Sequence, residues 1–157
     1  MKKLTVLIAA LFALTAPVAS IAAMDHGSMK MDHGDMMSKG NVAHEEVVQG
    51  VKATFKVISM KEHMKAMKME MPKDLKETHH IMVEFKDAKT GKAVTEGEVK
   101  VKVQNPDKTD QTKDLMAMEG HFGGDFVMSQ KGKYGVMSKF QLKDGKVRSS
   151  KFWYTVK

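Results

Sequence analysis

The sequence predicts an all-β fold, an immunoglobulin-like β-sandwich of about seven strands. Three observations carry that expectation. Apolar and polar residues alternate with a period of two in several separate stretches, turn residues punctuate them at short intervals, and a single stretch has helical periodicity. A unit running from residue 47 to residue 157 has the length of one such sandwich, about 100 residues.

The alternation begins where Val51, Ala53, Phe55 and Val57 interleave with Lys52, Thr54 and Lys56, as in a strand with one wet face. Met60 to Met71 follows. Met60, Met64, Met67 and Met71 stand there at helical spacing, so a short amphipathic helix would set all four on one face before Pro72 ends it. His63 and Met69 complete this methionine concentration, whose rival readings are a helix packed on a core and a metal-binding loop.

His79 to Phe85 reads as a strand with Ile81, Val83 and Phe85 on one side and His80, Met82 and Glu84 on the other. If the second side meets solvent, His80 and Met82 are accessible soft ligands; if it meets another sheet, they are packing residues. Val99, Val101 and Val103 alternate with Lys100 and Lys102 in the next strand, and Asn105-Pro106-Asp107 turns the chain. Leu115 to Met128 carries Met116, Met118 and His121 ahead of strand-like Phe122, Phe126 and Met128. The doubled Gly123-Gly124 within it reads as a bulge or a close backbone approach. Tyr134, Val136, Phe140 and Leu142 share a face, Asp144-Gly145 signals a hairpin, and Val147 to Val156 is the last strand. Trp153, Tyr134 and Tyr154 read as packing residues.

Residues 1–23 have the form of a cleaved signal peptide. Lys2 and Lys3 precede an apolar run from Leu4 to Leu14, and small residues at Ser20, Ala22 and Ala23 suit cleavage. The run is short for a membrane span, so an exported, periplasmic chain is expected over a retained anchor. Export bears on the cysteine count, which is zero. No disulfide supports the core, and thiolate ligation is excluded; methionine, histidine and carboxylate remain as metal donors. The net charge of +7 comes from dispersed lysines that alternate with apolar residues, a pattern of wet strand faces. Nucleic acid is not an expected partner, and membrane-surface attraction is expected to be weak at most.

Residues 24–46 read as a disordered tail, too polar and glycine-rich to bury a core. Its content is distinctive. Met24-Asp25-His26-Gly27 returns as Met31-Asp32-His33-Gly34, and Met29, Met36 and Met37 add further thioethers. Thioether sulfur is a soft neutral ligand suited to Cu(I), while imidazole serves both copper oxidation states, so the mixture points to copper. A passive polar tail is the bland rival.

The order His79-His80-Ile81-Met82-Val83, Gly91-Lys92-Ala93-Val94, Gly97-Glu98-Val99, Gly120-His121-Phe122-Gly123-Gly124-Asp125-Phe126, Gly132-Lys133-Tyr134 and Phe152-Trp153-Tyr154-Thr155-Val156 resembles the YtkA-like/FixH-like exported β-sandwich domains. The likeness runs from Val47 to Lys157. It implies an architecture similar to the small periplasmic copper carriers of the CopC type, and a role near copper handling or cytochrome oxidase. The Met-Asp-His-Gly repeat separately resembles the Met/His-rich segments of bacterial copper-resistance proteins.

An enzyme is not expected, because no Ser-His-Asp arrangement and no phosphate-cradling glycine loop is visible. The expected function is copper binding for sequestration, tolerance or delivery, with Cu(I) favoured, Ag(I) equally suited and Cu(II) confined to histidine. Candidate ligands are Met24, His26, Met29, Met31, His33, Met36 and Met37 in the tail; Met60, His63, Met64, Met67, Met69 and Met71 in the second concentration; and His80, Met82, Met116, Met118 and His121. Partners would be a copper donor or acceptor, or a membrane oxidase or transporter. The alternative is a cell-envelope interaction module that assists assembly of such a membrane complex, its methionines forming an adaptable contact surface.

Overall fold

Period-two alternation becomes eight antiparallel strands: β1 (Val42–Val48), β2 (Val51–Ser59), β3 (His79–Asp87), β4 (Gly97–Gln104), β5 (Asp110–Met118), β6 (His121–Phe126), β7 (Gly132–Leu142) and β8 (Val147–Val156). One helix, α1 (Met60–Ala66), separates β2 from β3. The computed structural model describes residues 42–157. The leader and the tail donors Met24, His26, Met29, Met31, His33, Met36 and Met37 lie outside the described residues.

The strands form a continuous sheet in the order β1-β2-β3-β6-β5-β4-β7-β8. β5 makes the fold two-layered. Its first part, Asp110 to Leu115, pairs with β4, while Met116 to Met118 pair with β6, so one strand serves both layers. The sheet folds over and nearly closes: His44 of β1 stacks on Phe152 of β8 with ring centroids 5.0 Å apart.

The inner faces bury Phe55, Ile81, Val83, Phe85, Val99, Val101, Val103, Phe122, Phe126, Tyr134, Val136 and Phe140 as one apolar cluster. Phe85 lies at its centre, 4.5 Å from the Phe140 ring and 5.7 Å from the Phe122 ring. Burial of these side chains is the main drive for closing the two layers, at about 25 cal/mol for each Å² of apolar surface removed from water.

Three elements differ from expectation. The tail was expected to reach residue 46, yet β1 starts at Val42. Its apolar residues do not alternate regularly, being split by His44-Glu45-Glu46; it pairs along β2, Ala43 and Val48 pack against the core, and Glu45 adds contacts to Lys52 and Thr54 across that pair. β5 was not foreseen as a separate strand, since Leu115 is its one buried apolar residue. The helix does not reach Met71. Ser59 and Glu62 cap its start reciprocally, and a Schellman turn ends it: Met69 N–H donates to Met64 O, Lys68 N–H to Lys65 O, and Lys68 takes φ 55°. Met67 is therefore the C-cap, and Met69 and Met71 lie beyond the helix. Trp153 also departs from the packing expectation. It is half exposed on the outer face of β8, with the ammonium groups of Lys133 and Lys151 at 4.8 and 5.2 Å from its ring.

Candidate metal centre

Strand alternation puts His80, Met82 and Glu84 of β3 opposite the core-facing Ile81, Val83 and Phe85, and so on the outer face. Register extends that face sideways. Lys56 of β2 stands opposite Met82, Met82 opposite Gly123 of β6, and Gly123 opposite Met116 of β5. Ile58 stands opposite His80 and His80 opposite Asp125, while Met118 stands opposite His121. Thioether, imidazole and carboxylate from three strands thus share one face.

An outer face would ordinarily be wet, but His80 is only 1% exposed and Met82 only 3%. The segment from α1 onward supplies the cover. Met60 is buried, its N–H donating to Thr78 O at 2.7 Å, and His63 of α1 stacks on His80 with ring centroids 3.9 Å apart and planes 8° from parallel.

His80 is the best-defined donor. Its Nδ1–H donates to Asp125 Oδ1 at 2.6 Å, so in the neutral ring the lone pair is on Nε2; that atom is buried and has no hydrogen-bonding partner within the protein. An imidazole oriented by a carboxylate on one nitrogen and free on the other is the usual preparation of a metal-binding histidine. Gly123 makes room for it. A Cβ at that position would stand 2.7 Å from His80 Nε2 and 3.5 Å from Met118 Sδ, so the free nitrogen and the sulfur border the same small space. The close approach foreseen at Gly123-Gly124 is made by the His80 ring, within an unbroken ladder rather than a bulge.

His121 repeats the arrangement. Its Nδ1–H donates to the Glu119 carbonyl at 3.3 Å, again leaving Nε2 as the lone-pair atom. Burial, and then the neighbouring His80, push the basicity of both His63 and His121 below the ordinary histidine value; for His121 the Glu119 carbonyl partly offsets this. Both are neutral at pH 7 and need release no proton to bind a cation.

The structure therefore brings together His63, His80, Met82, Met118 and His121, with Met116 on the same face and 69% exposed. Met64 is half-buried on α1, Met60 is buried, and Met67, Met69 and Met71 are exposed beyond or at the end of the helix. His79 lies apart from these donors, held by Thr78 Oγ1 and packed edge-on to Tyr154 of β8. Among the described residues no three imidazole or carboxylate groups are placed to hold an ion by themselves, so a cation here would draw on sulfur as well as nitrogen. Sequence reasoning placed Glu84 on the face of His80 and Met82 but missed Asp125 and Lys56 as neighbours of this cluster. The pairing of β3 with β6, far apart in the chain, is what reveals Asp125.

No protein-family model and no curated protein matches the chain. Solved structures similar to it include two from bacteria. The crystal structure of a DUF4426 family protein from Pseudomonas aeruginosa PAO1 superposes with a TM-score of 0.53 and 15% identity over 72% of this chain and 93% of that one. The PmoD soluble domain from Methylocystis sp. ATCC 49242 (Rockwell) gives 0.39 and 10%, over 72% and 96%. The class the fold defines is a small antiparallel β-sandwich domain, and the first likeness is one of fold alone.

Proposed function

We propose that the chain is an exported, non-enzymatic copper-binding protein that holds Cu(I), or Ag(I), on the outer face of β3, β6 and β5 and in its amino-terminal Met/His tract, for sequestration, tolerance or delivery to an envelope partner. One observation carries the reading. His80 keeps a buried, unpartnered Nε2, oriented through Asp125 and bordering the Met118 sulfur. Leaving a polar atom in that state costs about 1–3 kcal/mol, a cost that a bound cation would remove.

The chemistry follows from the donors. Thioether and neutral imidazole suit a soft monovalent ion, and the tract Met24 to Met37 supplies the same two donor types on a chain that can collect the ion first. Competition with a Cu(I) chelator tests this on the full chain, on a variant lacking residues 24–37, and on His80→Phe with Met118→Leu. The expected result is a loss of affinity in each variant and the largest loss when both are combined. Copper affinity that is weak and equal in all of them refutes the proposal.

The interaction-module reading retains one specific support, the exposure of Met67, Met69, Met71, Met116 and Met118 on a single chain. It predicts that replacing these methionines by leucine leaves partner binding intact, whereas metal binding by thioether does not survive that change.

A further inference from the structure

We infer that Lys56 is a specificity-determining residue of the His80–Met118 site: by pairing with Glu84 it withholds a carboxylate of the same face that could convert a soft donor set into a site for divalent ions. The inference rests on the copper reading and deepens it.

Lysine is rarely buried, yet Lys56 is only 4% exposed. Its Nζ donates to Glu84 Oε1 at 2.7 Å on the same outer face, one cross-strand position from Met82. Glu84 shares that face with His80 and Met82, and its charge and that of Lys56 act with opposite sign on the His121 imidazole. The two carboxylates that the β3 and β6 register places on this face are therefore engaged, Asp125 by His80 and Glu84 by Lys56. Carboxylate oxygen is the donor from which Zn(II) and Co(II) gain and from which Cu(I) and Ag(I) gain little. The ammonium adds a second bias, because a fixed positive charge repels a divalent ion twice as strongly as a monovalent one.

The test uses the full chain carrying His26→Gln and His33→Gln with Met24, Met29, Met31, Met36 and Met37 changed to leucine, so that tail imidazoles and thioethers do not mask the result. Zn(II), Co(II) and Ag(I) are titrated into that background and into Lys56→Met, Lys56→Arg, Glu84→Gln and Lys56→Met with Glu84→Gln. Lys56→Met is expected to raise Zn(II) and Co(II) affinity at least tenfold, with tetrahedral Co(II) absorption appearing, while Ag(I) affinity moves less than threefold. Adding Glu84→Gln should abolish the divalent gain, and Lys56→Arg should behave as the parent. A folded Lys56→Met protein with no divalent gain, or a gain that survives Glu84→Gln, overturns the inference while leaving the copper reading intact. If Lys56→Met does not fold, Glu84→Gln alone decides: unchanged Ag(I) and divalent binding supports withholding, and loss of divalent binding shows Glu84 to be a ligand already. Failure of the parent to bind Ag(I) at all removes the copper reading of this face and this inference together.

Discussion

β5 contributes to two outer faces that could hardly be less alike. Asp114 and Asp110 of its first half meet Lys100 and Lys102 of β4 at 3.2 and 2.7 Å, in a solvated field that continues to Trp153 and its flanking lysines. Met116 and Met118 at its end join His80, Met82 and His121 beside a segment that keeps His80 and Met82 from water. What differs is that the first face meets its polar needs with water and opposite charge, while the second leaves His80 Nε2 without a partner in a buried setting. Exposed ion pairs contribute little to stability, so the lysine face tolerates change, whereas the histidine face stores an unmet bond.

Glycine substitutions break this comparison most sharply. On the histidine face, Gly123→Ala drives a Cβ to 2.7 Å from His80 Nε2, against a ring fixed by both Asp125 and His63. On the lysine face, Gly135→Ala meets Trp153 Cζ3 at 3.1 Å, and that indole is half exposed and free to swing. Denaturant unfolding should show a loss of about 1–3 kcal/mol for the first, as overpacking costs. The second should cost less, and with residues 24–37 removed only the first should abolish Ag(I) binding.

Asp125→Asn sharpens the contrast without adding bulk. It weakens control of the His80 tautomer and should lower Ag(I) affinity about tenfold, the usual effect of removing an outer partner of a ligating histidine. Asp114→Asn on the other face should leave that affinity unchanged in the same competition assay.

Acid separates the faces next. His63 and His121 have their proton affinity lowered in the fold, chiefly by burial, so below about pH 6.5 the unfolded chain binds more protons than the folded one. Stability should therefore fall as the pH drops through that value toward the lower folded ones. His63→Gln with His121→Gln should flatten this part of the stability profile measured by urea unfolding. The smallest effect is expected from Lys102→Ala, which should shift stability by no more than about 0.5 kcal/mol and leave metal binding alone.

These faces were unequally legible in the sequence. Val99 to Val103 announces its lysine-bearing wet side by alternation, and β4 follows that pattern. The same rule separated His80 and Met82 from Ile81 and Val83, but alternation cannot say which side is inward, nor that α1 covers the outer one. Asp125 meets His80 only because β3 pairs with β6 across 45 residues, a non-local choice that no short window records. β1 and β5 escaped notice because neither has a regularly alternating apolar face. Helical spacing over Met60 to Met71 overstated α1, since a left-handed Lys68 stops the helix whatever the methionine period.

The most direct test follows the histidine nitrogens themselves. In the full chain labelled with ¹⁵N-histidine, Ag(I) should shift His80 Nε2 and split it by coupling to silver, while Nδ1 keeps its proton to Asp125. A titration in which His26 and His33 respond and His80 stays unmoved would place all metal binding in the tail and contradict the site proposed on β3, β6 and β5.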